Sequence, residues 1–176
     1  MKTLVAYSSI TGNTKKIAEV ITQAIGEGAH LEDILQKPET DLYDLIILGF
    51  WIDRARVNQD MAEFMSQIKD KYLAFFFTQV GWPYGPTAKR IIAQTSQKLV
   101  ESNNILLGDF HCQGRMNPAI IKMARRLPVT HPRGGYSLAR AALLAESQLH
   151  PDLEDLKLAG EFAGKVVAKY RSQISN

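Results

Sequence analysis

A run of hydroxyl-bearing residues around one glycine lies near the start of the chain. It follows the apolar residues 4–7, precedes a helical pattern that begins at Lys15, and consists of Ser9, Ile10, Thr11, Gly12, Asn13 and Thr14. Hydroxyls, backbone N–H groups and the partial positive charge of a helix N-terminus together suit a bound phosphate, and Gly12 lets the backbone approach it closely. The run has neither the Gly-Lys-Ser/Thr ending of an NTPase loop nor the three glycines of a dinucleotide-binding turn. Because it also has no basic side chain, it predicts a site for a phosphate monoester held by neutral donors.

A second candidate segment follows the central apolar run and reads Gly-Phe-Trp-Ile-Asp-Arg-Ala-Arg at residues 49–56. FMN is one phosphate monoester that such a loop could hold, and its flavin ring needs flat apolar surface and backbone polar groups along its edge. Trp51 is expected to supply that surface, because the strand should already have ended before it. Phe50 and Ile52 are included in the candidate site, although for Phe50 the favoured interpretation is a core residue that finishes the strand.

A third segment combines two aromatic residues, a proline and two glycines. It consists of Thr78, Gln79, Val80, Gly81, Trp82, Pro83, Tyr84 and Gly85. Trp82 or Tyr84 could stack on the outer face of a flavin, and backbone groups near Val80 and Gly81 could bond its pyrimidine edge. The alternative is a rigid turn whose aromatic side chains cover the end of the sheet.

Strand and helix patterns alternate along the chain. Strands are predicted at residues 3–7, 29–34, 45–50, 72–78 and 105–112, and helices at 13–27, 58–71, 87–102, 118–126, 137–148 and 152–174. This alternation predicts an α/β fold, a three-layer α/β/α sandwich around a five-stranded parallel sheet of order 2-1-3-4-5. In such a sheet the ligand lies beyond the carboxyl ends of strands one and three. Three loops should meet there: the first loop (residues 9–14), the second loop (51–58) and the third loop (79–86).

Composition limits the class of protein. The 176 residues, 45% of them hydrophobic, are expected to form one domain spanning residues 1–176. The longest apolar runs, residues 45–52 and 73–77, are far too short to span a membrane. No signal-peptide pattern precedes the first strand, so a cytoplasmic location is predicted. The single cysteine, Cys112, ends a strand and is interpreted as a core thiol, and no catalytic or metal-binding set of residues stands out.

The charge distribution suggests an anion-docking surface. The net charge is +3, and residues 110–145 contain no Asp or Glu. The basic and histidine side chains of this segment are His111, Arg115, Lys122, Arg125, Arg126, His131, Arg133 and Arg140. The docked anion could be the acidic patch of a partner protein, a carboxylate-bearing substrate or the extra phosphate of NADPH. Nucleic acid is disfavoured, since no nucleic-acid-binding motif is present and the net charge is small.

These stretches carry a resemblance to the flavodoxin family over nearly the whole chain. The first loop matches the family's phosphate loop, Ser/Thr-x-Thr-Gly-x-Thr, and residues 49–53, 109–116 and 150–156 resemble small stand-alone flavodoxin-like proteins of anaerobic bacteria. Some of those accompany bilirubin reductase and are proposed to help it. In that group the second loop usually reads Trp-x-Asp-Lys-Gly and the third carries Tyr-Pro-Asp-Ser. Here they read Trp-Ile-Asp-Arg-Ala and Trp-Pro-Tyr-Gly.

The resemblance implies FMN as the cofactor and places Gln113 and Gly114, after the fifth strand, close to the flavin. The expected function is electron transfer between a reductase and a redox partner that docks on a basic rim of Arg54, Arg56, Arg115, Arg125 and Arg126. Electron-carrying flavodoxins are acidic, so Arg54 and Arg56 predict a less negative reduction potential here. An FMN-dependent oxidoreductase acting on NADPH, a quinone or a tetrapyrrole is the alternative, and a flavin-free interaction module is a third possibility.

Overall fold

The structure, a computed structural model, describes residues 1–128, 130 and 137–175. His131 and Arg133 of the basic segment therefore lie outside the described residues, as does most of the Pro- and Gly-rich loop expected at 127–135. The strands are β1 (Thr3–Tyr7), β2 (Ala29–Asp33), β3 (Leu45–Asp53), β4 (Arg56–Val57), β5 (Tyr72–Gln79) and β6 (Ile105–Gln113). The helices are α1 (Asn13–Ile25), α2 (Gln59–Met65), α3 (Pro86–Glu101), α4 (Pro118–Ala124), α5 (Leu138–Ser147) and α6 (Leu153–Ile174).

The sheet has the predicted order. Its strands run β2-β1-β3-β5-β6, all pairings along this path are parallel, and the sixth strand, β4, pairs antiparallel with the end of β3. With β4 set aside, this is the predicted 2-1-3-4-5 arrangement. The prediction of five strands missed β4, because two residues that return along a strand end leave no periodic signal.

Alternating side chains of the strands divide the core into two layers. Val5 and Ile47 face the layer that contains Ile17 of α1 and Ala163 of α6, and α1 packs on α6 over this face. Their neighbours in sequence, such as Ile46, face the other layer with residues of α2 and α3. Both faces of the central strands are therefore covered, which explains why β3 and β5 are continuous apolar runs rather than alternating ones.

Two predicted boundaries were wrong. β3 does not end at Phe50 but continues to Asp53, since Trp51 pairs with Thr78 of β5 and Ile52 with Val57 of β4. The helix expected at 58–71 ends at Met65. Beyond it, the buried side-chain amide of Asn104 donates to the Ile68 carbonyl and accepts from the Lys71 N–H, which holds a non-helical connection into β5.

Candidate functional site

The first loop presents unpaired backbone donors at the start of α1. Gly12 has φ +84°, a left-handed conformation that favours glycine, and the first bond of the helix runs from the Lys16 N–H to the Gly12 carbonyl at 2.9 Å. Within the described residues, the backbone N–H groups of residues 10–15 have no acceptor. These groups and the N-terminal end of a 13-residue helix lie beyond the carboxyl end of β1, an arrangement suited to a phosphate.

The side chains of the first loop are less uniform than the motif suggested. Ser9 Oγ is buried and has no partner in the described part of the chain, and Thr11 is exposed. The Asn13 amide already donates to Thr11 Oγ1 and to the Arg115 carbonyl, each at 2.9 Å. The hydroxyl of Thr14 is buried and shares a 2.9 Å hydrogen bond with the hydroxyl of Thr78. Ser9 and Thr11 are therefore the side chains most available to a ligand, whereas Ile10 projects outward with 70% of its surface exposed.

The second loop is mostly a hairpin. Asp53 pairs with Arg56 across a two-residue turn, in which Arg54 and Ala55 adopt left-handed φ angles of 46° and 63°. Phe50 is fully buried and stacks on Phe75 and Phe77. The side chain of Phe50 is thus a core element, as the favoured interpretation expected, and does not reach the site.

Trp51 stands within β3 rather than after it, so the reason given for its flavin contact was wrong. It remains half-buried, and its indole Nε1 is buried without a partner among the described residues.

A cleft of about 370 Å³ lies between the second and third loops. It is lined by Ile52, Ala55, Gln79, Val80, Gly81, Trp82, Gly85, Pro86, Thr87, Met116 and Leu143. Trp82 is therefore the aromatic residue of this cleft, while Tyr84 is 84% exposed and meets the His111 ring edge-on. Trp51 is not among the lining residues.

The end of β6 joins the first and third loops. Gln113 is buried, and its side-chain amide donates to the Val80 carbonyl at 3.1 Å. A Cβ atom added to Gly114 would lie 2.9 Å from Asn13 Nδ2 and 3.1 Å from Asn13 Cβ, so only glycine fits without displacing the Asn13 side chain. The structure thus places Gln113 beside the third loop and Gly114 beside the first loop, and their proximity to a flavin stays a prediction.

The five arginines of the expected basic rim stand on different elements of the structure. Arg54 is exposed at the tip of the hairpin, and Arg115 is exposed beside the first loop. Arg56 lines a groove of about 780 Å³ between α2 and α3 and is not among the residues that line the cleft. Arg125 and Arg126 are exposed just beyond α4.

Sequence reasoning missed Asn58, His111, Met116 and Leu143. Asn58 is buried before α2 and donates its side-chain amide to Ser8 Oγ at 3.0 Å and its N–H to the Trp51 carbonyl at 3.2 Å. It therefore links the second loop to Ser8, the residue between β1 and the first loop. Its Oδ1 has no partner among the described residues. An asparagine directly before a helical pattern was the one available signal, but that signal predicts a helix cap. No local pattern could have placed Met116 and Leu143 at the cleft.

Cys112 is a core residue, as expected. It is 2% exposed, and burial, reinforced by the negative charges of Asp155 and Asp152, raises the pKa of its thiol well above the usual value. A thiol held protonated in this way is a poor nucleophile. No helix in the described ranges is long and apolar enough to cross a membrane.

Unpaired polar atoms show that the site is suited to a ligand. Four buried side-chain atoms lack a hydrogen-bond partner in the described ranges, and three of them, Ser9 Oγ, Trp51 Nε1 and Asn58 Oδ1, belong to the first two loops. Leaving such a group unpaired costs about 1–3 kcal/mol unless a ligand or water satisfies it. Together with the free N–H groups and the apolar cleft, these atoms fit a molecule that carries both a phosphate and a flat heterocyclic ring.

Comparison with known proteins identifies relatives along nearly the whole chain. A family model described as "Flavodoxin domain" matches residues 4–164. The flavodoxin-like domain-containing protein BilS of Clostridioides difficile (strain CD3) is 30% identical over 173 residues, which cover 96% of this chain and 98% of that protein. The crystal structure of oxidised flavodoxin 1 from Bacillus cereus is similar with a TM-score of 0.63 at 20% identity, covering 96% of this chain and 98% of that one.

A crystal structure of a flavoprotein in complex with FMN from Lactobacillus acidophilus NCFM is also similar. Its TM-score is 0.50 at 20% identity, and the match covers 62% of this chain and 92% of the other. At this identity, both solved structures show a shared fold.

Proposed function

The chain belongs to the flavodoxin family, and on that premise we propose that it binds FMN and carries electrons between a reductase and a redox partner. The observation that carries the proposal is the set of unpaired N–H groups at residues 10–15, which follows the carboxyl end of β1 at the same edge of the sheet as the ends of β3 and β5 that border the cleft. These donors would hold the phosphate, together with the Ser9 and Thr11 hydroxyls. The relative crystallised with FMN supports this choice of flavin.

The cleft suits the ring of the flavin. Its volume of about 370 Å³ falls at the small end of the ~300–1,000 Å³ range of ligand sites. Trp82 and Ile52 offer apolar surface from opposite loops, and Met116 and Leu143 exclude water from the remaining side. Bound FMN supplies the redox chemistry, and the chain supplies binding, orientation and the electrostatic environment.

The lining of the cleft favours a carrier over an enzyme. None of the described residues that line it has a side chain that titrates near neutral pH. A group that donates or removes a proton from an organic substrate must stand within hydrogen-bond reach of it. The cleft is also small enough that one ring fills it. Both features favour electron transfer through an exposed edge of the cofactor over a reaction that needs a proton donor from the protein. Hydride transfer from NADPH needs no such group, and the turnover experiment below tests that alternative.

The partner and the location stay predictions. Arg54 is exposed at the tip of the hairpin, Arg115 beside the first loop and Arg126 just beyond α4. Their positive charges suit a partner with an acidic docking patch. The same charges would attract NADPH or another anionic substrate, so the oxidoreductase alternative rests on them. A cytoplasmic location is proposed on the sequence pattern alone, and cell fractionation tests it.

Turnover by the isolated protein separates the two functions. The FMN-loaded protein is mixed with NADPH and an electron acceptor, first alone and then with a flavodoxin reductase. A carrier shows turnover only when the reductase is present. Rapid NADPH oxidation by the protein alone, faster than with equal free FMN, would instead establish the oxidoreductase.

A further inference from the structure

Three side chains capture three backbone carbonyls of the third loop. The Gln113 amide donates to the Val80 carbonyl at 3.1 Å, and the Gln79 amide donates to the Trp82 carbonyl at 3.1 Å. His111 Nε2 lies 2.8 Å from the Pro83 carbonyl. Because a carbonyl only accepts, His111 Nε2 must carry the hydrogen. We call Gln79, His111 and Gln113 the latch.

The latch is built like part of the core. Gln79 and Gln113 are 5% and 2% exposed, and the His111 ring stacks on Phe77 with centroids 4.9 Å apart and planes within 10° of parallel. All three side chains stand near the ends of β5 and β6, which pair directly, Gln79 opposite Gln113. The latch therefore fixes the third loop to the carboxyl ends of β5 and β6.

The latch bonds the carbonyls of the third loop and not its N–H groups, which stay available to a ligand. Within the described residues, the backbone N–H groups of Val80, Gly81 and Trp82 have no acceptor, and all three residues line the cleft. Apolar side chains would have filled the space beneath the loop without fixing the orientation of its peptide groups. Polar donors do fix it, because each one determines where a carbonyl points.

We propose that Gln79, His111 and Gln113 are positioning residues that orient the third loop so that its N–H groups meet the electron-rich edge of a flavin ring. The proposal rests on the proposed function. The ring offers acceptor atoms on its pyrimidine edge and gains negative charge on reduction, so aligned N–H donors favour both its binding and its reduced form. The latch holds them in place before the ligand arrives, which lowers the entropic cost of binding.

The test compares two flavins against one variant. Gln113→Met keeps the length of the side chain and removes its donor. Lumiflavin has the ring but neither the ribityl chain nor the phosphate. The affinities of apoprotein and variant for FMN and lumiflavin are measured by fluorescence titration. Both affinities should fall by the same factor, about tenfold for one lost hydrogen bond, and the reduction potential of the FMN complex should become more negative.

A matched control and a second variant keep the outcome decisive. Thr11→Ala, in the first loop, should weaken FMN and leave lumiflavin unchanged. Gln79→Met carries the same test as Gln113→Met if the latter does not fold. Unchanged lumiflavin affinity in the latch variant, with an unchanged potential, overturns the proposal. If the parent binds no flavin at all, the proposed function fails first, so the two failures are distinguishable.

A measurement on the unaltered protein checks the same point. In NMR spectra of the parent, lumiflavin should shift the backbone N–H signals of Gly81 and Trp82, while the side-chain amide of Gln113 stays where it is. Movement of the Gln113 amide with static Gly81 and Trp82 signals would mean that the latch opens on binding, which contradicts pre-orientation.

Discussion

The first and third loops both present unpaired N–H groups to the same edge of the sheet, but they are held in opposite ways. The backbone of the first loop takes its shape from neighbours in sequence, namely the left-handed Gly12 and the start of α1. Two long-range hydrogen bonds in the described residues also reach it through side chains, from the Asn13 amide to the Arg115 carbonyl and between the Thr14 and Thr78 hydroxyls.

Two of the three latch bonds hold the third loop from a distance, since Gln113 and His111 reach carbonyls that lie 33 and 28 residues away in the chain. The third latch bond, from the Gln79 amide to the Trp82 carbonyl, is local. The backbone conformation of the first loop can therefore be predicted from a short motif, whereas the orientation of the third loop depends on the assembled sheet.

The largest expected effect concerns the first loop. Thr11→Ala removes an exposed hydroxyl beside the free N–H groups and should weaken FMN binding by about 1.5–3 kcal/mol, the range for a hydrogen bond to a charged group. Thr14→Ala should weaken it less, because the Thr14 hydroxyl is buried and already paired with Thr78. Calorimetry with FMN measures both. Equal losses in the two variants would show that Thr14 turns to the phosphate after all.

A smaller effect, on the free energy of unfolding, is expected in the second loop. Like the first loop it is shaped by neighbours in sequence, but its hairpin turn places a non-glycine residue in a left-handed conformation. Ala55 holds φ 63° in the hairpin turn. Ala55→Gly should raise the free energy of unfolding by about 1 kcal/mol, since a left-handed conformation costs an L-residue roughly 1–2 kcal/mol. Urea denaturation checks this. Ala62→Gly, within α2, is the control and should destabilise, so a loss of stability in both variants would refute the strain.

The support of the first loop should depend on pH through His150. The Pro151 carbonyl beside it accepts from Lys16 Nζ of α1 at 2.9 Å. Burial disfavours the charged ring, but the hydrogen bond from Nδ1 to Asp155 at 2.5 Å and the charges of Asp155, Glu146 and Asp152 outweigh burial and raise the pKa of His150. A raised pKa in the folded state stabilises the protein fully below the ordinary value of about 6.5 and loses that stabilisation as pH rises through the folded value.

Comparison with a variant isolates this contribution. The parent should exceed His150→Gln in melting temperature at pH 6, and the difference should shrink toward pH 9. Asp152, whose pKa is lowered chiefly by the Asp155 N–H, loses its charge only at much lower pH and does not interfere. A difference that stays constant from pH 6 to 9 would exclude His150 as the titrating group.

The smallest effect concerns charge near the cleft. Arg54 stands at the tip of the hairpin whose neighbour Ala55 lines the cleft, whereas Arg56 lines the groove between α2 and α3. Arg54→Glu should lower the reduction potential of bound FMN by about 10–40 mV, the equivalent of the ~0.2–1 kcal/mol that exposed charges contribute. Arg56→Glu is the matched control and should change it less. Potentiometric titration in low salt measures both reduction potentials. Identical shifts in the two variants would contradict the different positions inferred for Arg54 and Arg56 relative to the flavin.

The sequence predicted the sheet order and the first loop because both depend on local patterns. Alternating strands and helices limit the topology, and Ser9 to Thr14 form a continuous motif. The sequence-based prediction that β3 ends before Trp51 was wrong. The strand continues because β4 pairs beside its end, and such hairpin pairing cannot be recognised in an apolar run. The sequence could not place Leu143 at the cleft or Arg56 in the groove between α2 and α3, since both positions follow from how distant elements pack.

The affinity of the apoprotein for FMN against riboflavin tests the central claim most directly, because the two ligands differ only in the phosphate. Calorimetric titration should show FMN binding at least about 100-fold more tightly than riboflavin, the equivalent of two hydrogen bonds to a charged group. Equal affinity for both flavins, or no heat with either, would contradict the assignment of residues 9–14 as the phosphate-binding loop.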